Sequence, residues 1–214
     1  MNLFTDYQIA QKYDQYYQTD MGKSVDTIEK ALIRKFLSPI FFSEMLELGC
    51  GTGHWTKFFC EEGVQVTGID ESESMLEQAR SKNIANADFV KADAENLPFA
   101  DQSFSLISSV TMFEFVENVN CVFDEIDRVL KPGGYLLAGW LNALSEIGKN
   151  KNNDETFRHA HFYTPAEIGQ LLMRFGVPKL SYGVYYSSGF ELLDSTKKQH
   201  FVQPAFIASL VQKN

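Results

Sequence analysis

A chain of 214 residues, 44% of them hydrophobic and 22% charged, is long enough for one α/β domain with a full core and too apolar for global disorder. Its net charge of −9 and pI near 4.9, with no basic stripe longer than "TKK" at 196–198, disfavour a nucleic-acid partner, which needs clustered Lys and Arg. The start "MNLFTDYQIAQKYDQYY" lacks the basic head and apolar run of a signal peptide, and no stretch approaches the roughly 18 apolar residues of a membrane span, so a cytoplasmic protein is expected. Cys50, Cys60 and Cys121 are odd in number and lack CxxC spacing. They read as buried or half-buried thiols rather than a disulfide framework or a zinc site.

Val25, Ile28 and Leu32 recur at helical spacing and predict a helix over 24–37 that Pro39 stops. Strands are then expected at "MLELG" (45–49), "QVTGID" (65–70), "ADFVKAD" (87–93), "FSLISSV" (104–110) and "GYLLAGWL" (134–141). Helical stretches over 54–62, 73–82 and 119–130 alternate with them, the pattern of β-α units on a parallel sheet. "LKPGGYLL" (130–137) reads as helix end, break and strand. The polar stretch 145–160 reads as a long loop of the kind that forms lids or binding segments. A further helix opens at "TPAEIGQLLMRFG", with Thr164 as N-cap, Pro165 at the first position, Glu167 closing a capping box and Gly176 as the stop. "KLSYGVYYSS" and "PAFIASLV" close the chain as an antiparallel hairpin at a sheet edge.

The chemistry is concentrated in "MLELGCGTGHWT" (45–56). Gly49, Gly51 and Gly53 follow a strand and precede a helix, so backbone can approach a ligand closely. A dinucleotide fingerprint is G-x-G-x-x-G, but His54 occupies its last place, and an imidazole there would crowd helix against strand. The rhythm is instead G-x-G-x-G behind Glu47. A carboxylate there repels pyrophosphate and can hold a cationic amine, which suits S-adenosylmethionine, a ligand with ammonium, sulfonium, ribose and adenine but no phosphate. Asp70 ends the second strand at the edge where open α/β sheets bind ligands. Its carboxylate can accept from both ribose hydroxyls, at about 1.5–3 kcal/mol per charge-assisted bond. The alternative for Asp70 is capping of the next helix, a task Ser72 can also perform. Asp93 ends the third strand and can reach the adenine amino group.

"LELGCGTG", "GIDESESML", "KADAENLPFADQSFSLI" and "VLKPGGYLLAGW" together resemble the class I S-adenosylmethionine-dependent methyltransferases, in particular the small-molecule group, over 44–141. The resemblance implies a three-layer α/β Rossmann-like sandwich on a seven-stranded, mostly parallel sheet whose last strand is antiparallel. It implies one domain over 1–214, with 1–38 as a helical lid and 143–163 as a substrate-side loop. Glu47, Gly49 and Gly51 would line the methionine end, with Cys50 and Gly53 in the same loop. Asp70 would hold the ribose, with Glu71 and Met75 beside adenine and ribose. Asp93 and Ala94 would bound the adenine, and Val110 and Thr111 would lie near the sulfonium. Tyr13 and Gly22 match the lid's aromatic and glycine. The chain departs from many relatives at Ser105, where they carry an acid, and at "TMFEFV", where they carry a histidine. A base role for that histidine does not transfer here.

The implied function is methyl transfer from S-adenosylmethionine to a small-molecule oxygen, nitrogen or carbon, with S-adenosylhomocysteine as the other product. The acceptor is the expected partner, without nucleic acid or membrane, and the chain is expected as monomer or homodimer. Such in-line displacement depends on positioning and exclusion of water, and needs a base only for a protonated acceptor. Candidate catalytic residues are Glu114, His54 and Tyr163. Glu114 binds a substrate hydroxyl or ammonium, or else is a solvated loop carboxylate. His54 shapes the cofactor pocket more readily than it takes a proton. Tyr163 and Arg158 face the substrate or tie a loop down. His159 and His161 alternate but lack a third metal ligand, and His200 reads as surface. Aromatics in "YDQYY", "FRHAHFY" and "YGVYY" suit a flat or cationic acceptor, although most aromatics serve packing. Rival readings are another S-adenosyl-type transferase, a nicotinamide-dependent oxidoreductase, which the glycine spacing and Glu47 oppose, and a non-catalytic S-adenosylmethionine-binding protein.

Overall fold

The structure is a computed structural model that describes residues 14–40, 42–193 and 202–214; Tyr13 and His200 lie outside the described residues. Helix α1 spans Asp20–Leu37 and starts earlier than periodicity alone suggests, because the Thr19 hydroxyl accepts from Gly22 N at 3.0 Å and caps it. Then follow β1 (Glu44–Leu48), α2 (His54–Glu61), β2 (Gln65–Asp70), α3 (Glu73–Ser81), β3 (Ala87–Lys91), β4 (Phe104–Val110), α4 (Val119–Val129) and β5 (Leu130–Leu141). The last part holds α5 (Glu146–Asn150), α6 (Pro165–Leu172), β6 (Lys179–Tyr186), β7 (Leu192–Leu193) and β8 (Pro204–Gln212).

These strands form one sheet in the order β3-β2-β1-β4-β5-β8-β6-β7. The chain runs outward from β1 to β3 and then returns to place β4 on the other side of β1. That reversal opens a crevice at the carboxyl ends of β1 and β4. One face of the sheet packs Val25, Ile33 and Phe36 of α1 with Trp55, Phe58 and Phe59 of α2. The other packs Phe123 and Ile126 of α4 with Ile168 and Leu172 of α6. The result is the expected three-layer α/β sandwich.

Three expectations need adjustment. The two closing strands do pair antiparallel, as in Tyr182 with Ile207, but β8 lies between β5 and β6 rather than at an edge. The reason is its composition: residues 204–211 are buried without alternation, which only an interior position satisfies, whereas β6 alternates and tolerates the flank. The two-residue β7 adds an eighth strand to the seven expected. The polar stretch 145–160 is not a plain loop. Ser145 accepts from Gly148 N at 3.0 Å and starts α5, and 3-10 turns at Lys151–Asn153 and Phe157–His159 follow.

Helix α6 carries the expected capping box. The Thr164 hydroxyl accepts from Glu167 N, and the Glu167 carboxylate accepts from Thr164 N at 2.7 Å. The helix ends at Leu172, before Gly176, where the chain crosses the Gln212 carbonyl too closely for a Cβ. Arg128, at the end of α4, donates to the Leu97 and Phe99 carbonyls and so fixes the connection that carries Asp93 and Ala94. Among the described residues no helix is long and apolar enough to cross a membrane. Thr164→Ala is expected to cost about 1 kcal/mol and lower Tm by about 2–4 °C, measured by calorimetric unfolding, whereas an unchanged Tm would mean the cap contributes nothing.

Candidate active site

The glycine loop leaves β1 with Gly49, Gly51 and Gly53 all at positive φ, +66°, +54° and +79°. Each has a separate reason to lack a side chain. A Cβ at Gly49 would collide with the Met112 side chain, and one at Gly53 would meet Ile84 Cδ1 at 3.0 Å. At Gly51 a Cβ would meet nothing within 4 Å. Its left-handed backbone therefore borders open space, a cradle that no part of the described chain fills.

Two carboxylates flank that cradle. Asp70, at the end of β2, accepts from Gly51 N through Oδ2 and from Ser72 N through Oδ1, both at 2.9 Å. Ser72 itself caps α3 through Met75 N, so capping does not occupy Asp70. Burial raises the Asp70 pKa, while the bonds from Ser72 and Gly51 pull it down. Glu47, on β1, is 2% exposed and accepts from the Thr56 hydroxyl at 2.5 Å. Burial pushes its carboxyl up to about 8, opposed by the Thr56 bond and assisted by the charge of Asp70. Two acids held in this way fit a cationic, phosphate-free ligand and repel a pyrophosphate.

The remaining positions spread around the same sheet edge. Cys50 is buried beneath the loop, with its N donating to Ile69 O at 2.9 Å. Glu71 is exposed and Met75 is fully buried under α3. Asp93 is exposed and turns the chain by accepting from Glu95 N at 2.8 Å, with Ala94 half-buried beside it. Val110 is buried at the end of β4, and Thr111 follows at φ +53°, held by a bond to Gly139 O at 2.8 Å. A β-branched residue in that region is strained, a sign that sequence reading does not provide and that often marks a working site. Gly22 has a structural duty, since a Cβ there would collide with the Tyr16 carbonyl.

A family model described as a methyltransferase domain matches residues 46–138, the segment that supplies most of β1, all of β2 to β4 and most of β5. The match covers under half of the chain, and that segment is similar to the corresponding part of methyltransferases. An uncharacterised protein of Methanocaldococcus jannaschii is 27% identical over 218 residues, covering 100% of both chains. A malonyl-[acyl-carrier protein] O-methyltransferase of Hamiltonella defensa is 36% identical over 60% of this chain and 51% of its own length. The chain spans about half the length of such malonyl-[acyl-carrier protein] relatives. Among solved structures, a Thermotoga maritima methyltransferase described as a possible histamine N-methyltransferase superposes with a TM-score of 0.80 at 21% identity, covering 100% of both chains. An S-adenosylmethionine-dependent methyltransferase of Archaeoglobus fulgidus gives 0.71 at 20% identity, covering 97% of this chain and 100% of its own. Likeness at that identity extends to the fold alone.

The segment before α1 is strapped over the glycine loop. Thr52 Oγ1 donates to Asp14 at 2.6 Å, and Lys82 pairs with the same carboxylate at 2.5 Å. His54 Nε2 lies 2.7 Å from Asp26 of α1, and Tyr17 stacks on the His54 ring at 3.7 Å between centroids. These partners stand 28 and 38 residues apart, so no local pattern announces them.

The candidate acid–base groups are all engaged in the framework. Glu114 is not a solvated loop carboxylate: it is 1% exposed, because Phe113 stacks on Trp140 and rolls the 3-10 turn Phe113–Phe115 inward. Its Oε1 accepts from Leu141 N at 2.7 Å, its carbonyl accepts from His161 N at 2.7 Å, and Oε2 is sealed without a partner. Tyr163 donates its hydroxyl to Phe113 O at 3.2 Å and is 5% exposed. Burial first, then the charge of Glu114, lifts its pKa to about 12. His159 sits in a 3-10 turn rather than an extended segment, and no group of three or more metal-ligating side chains occurs among the described residues.

Burial raises the Glu114 carboxyl to about 7, against about 4.3 in an unfolded chain. A raised folded pKa contributes stability that is complete below about pH 4.3 and lost as pH climbs through about 7. Glu114→Gln lacks that titration. Its Tm relative to wild type is therefore expected to rise between pH 5 and 8, followed by calorimetry, and a pH-independent difference would refute the burial of this acid.

Proposed function

We propose that this chain binds S-adenosylmethionine in the Gly49–Gly51–Gly53 cradle and transfers its methyl group to a small-molecule oxygen, nitrogen or carbon nucleophile, releasing S-adenosylhomocysteine. The observation that carries this reading is the open space beside Gly51, bordered by Glu47 and Asp70. When bound, the cofactor supplies a methyl group already activated on a sulfonium.

The chain's own residues bind, orient and exclude water. Glu47 and the backbone of Gly49, Cys50 and Gly51 hold the methionine end. Asp70 keeps a lone pair on each oxygen beyond its two backbone bonds, and these accept from the ribose hydroxyls. Glu71 and Met75 border ribose and adenine, and Asp93 and Ala94 border the adenine. Val110 and Thr111 lie near the reacting carbon. Residues 1–38 serve as a lid, supported by the Asp14 and Asp26 contacts to the glycine loop and α2, with Tyr13 and Gly22 in its aromatic and glycine places. Residues 143–163 serve as the substrate-side segment. His54 contributes by fixing the lid through Asp26, and Glu114 and Tyr163 by holding the ends of β4 and β5, which leaves positioning as the chief catalytic contribution.

Calorimetric titration with S-adenosylhomocysteine tests the reading. Asp70→Ala is expected to cost roughly 2–4 kcal/mol, about 30- to 1,000-fold in Kd. Gly51→Ala is expected to lose at least tenfold in affinity because its methyl group enters the cradle, with a fall in Tm of only a few degrees from about 1 kcal/mol of left-handed strain. Wild-type affinity in both variants would remove the cradle as the site.

A further inference from the structure

Among the buried residues of α1 there is one charged side chain. Val25, Glu29, Ile33 and Phe36 form the stripe that faces the sheet, and Glu29 is 8% exposed. The helix sits hard on β6, where a Cβ at Gly183 would meet Leu32 Cδ1 at 2.6 Å and Ile28 Cγ2 at 3.1 Å. A carboxylate in such a stripe is costly unless something compensates it. Among the described residues no hydrogen bond to the Glu29 carboxylate compensates it. The neighbouring cation, Lys30, is committed to Asp26 at 2.8 Å, and Asp26 is a like charge one helical turn away. Burial first, then Asp26, raises the Glu29 carboxyl to about 8, with Lys30 opposing. An acid serving an internal ion pair would shift the other way.

Two tyrosines complete the surroundings. Tyr16 and Tyr186 interact through their hydroxyls, and both feel the charge of Glu29. Tyr186 is 6% exposed whereas Tyr16 is 45% exposed, so the cluster opens outward on the side of the segment before α1. Two residues ahead of Tyr186, Val184 holds φ at +56°, a strained conformation for a β-branched residue at the point where β6 presents this ring. Both β5 and β6 run antiparallel to β8, so β6 ends at the same sheet edge as β1, β2 and β4, where the cradle lies. The contact between Asp26 and His54, one turn from Glu29, links the two places directly.

We propose that Glu29, Tyr16 and Tyr186 form a cation site for an ammonium group carried by the methyl acceptor, a group that stays protonated and is not itself the atom methylated, so that the acceptors of this chain are amines. This rests on the methyltransferase reading above and narrows it to a substrate class. A carboxylate in need of a positive charge supplies the attraction, and two aromatic rings add cation–π contact with the alkylated ammonium. Neutral alcohols lack the charge and carboxylic acids carry the wrong one. Glu29 acts here as a binding group.

The test is calorimetry on the full chain, with and without saturating S-adenosylhomocysteine. The probes are butylamine and 2-phenylethylamine, each paired with its alcohol, and 3-phenylpropanoate. At least one amine is expected to bind ten times or more tightly than its alcohol and the acid. Glu29→Gln, which keeps shape and removes a buried charge, is expected to hold or raise Tm. It should leave the S-adenosylhomocysteine Kd unchanged and weaken the amine tenfold or more. Tyr186→Phe keeps the ring and should weaken it less. Equal binding of amine and alcohol, no binding of any amine, or an unchanged amine Kd in Glu29→Gln each overturns the proposal. Loss of S-adenosylhomocysteine binding by the wild type is a different outcome: it overturns the cofactor reading, while the amine titration without that ligand still reports on the cation site.

Discussion

The carboxylate of Asp70 joins two turns that would otherwise part. One oxygen takes the Gly51 amide and the other the Ser72 amide, so the loop after β1 and the turn after β2 are pinned to one group. With the loop held there, three left-handed residues carry the chain through a tight bend and deliver it to the first turn of α2. That turn brings Thr56 over Glu47 and His54 towards Asp26. The open space beside Gly51, the burial of Glu47 and the seat for the N-terminal segment all follow from this pair of bonds. An acid kept partly buried for that purpose, with buried Glu47 beside it, also leaves the site with two carboxyl groups that hold their protons more tightly than in water.

The N-terminal segment answers that arrangement from outside. Asp14 and Asp26 each bring a carboxylate to the helices and loop beneath, meeting Thr52 and Lys82 in one case and His54 in the other. These contacts are few and partly exposed, and pairs of that kind contribute little stability individually. Residues attached in this way are held less firmly than the sheet below them. The division of labour is visible in the packing: apolar stripes fix α1 and α2, while polar tethers fix what precedes α1.

The elements legible in the sequence were those whose signal is local. Strands β2 and β4 have the bounds expected from their apolar runs, and the Thr164 capping box is present as read. The glycine rhythm and the terminal carboxylate of β2 likewise meet at one place, as their spacing suggested. What escaped depended on distant partners. The interior seat of β8 is decided by β5 and β6 together, and the burial of Glu114 by Trp140 stacking on Phe113. Glu29 carries no local signal of its burial. Only the packing of Ile28 and Leu32 on Gly183 turns its face inward.

The seat of β8 also bears on how the molecule is made. It is the last strand in chain order, yet β5 and β6 both depend on it for their inner pairing. As the polypeptide leaves the ribosome, β1 to β5 can associate early, but α1 lacks β6 and β8, two of the strands it packs against, until residues 179–212 have emerged. The packing of α1 is therefore completed only with the strand that closes the described chain, and part of its apolar stripe stays exposed until then.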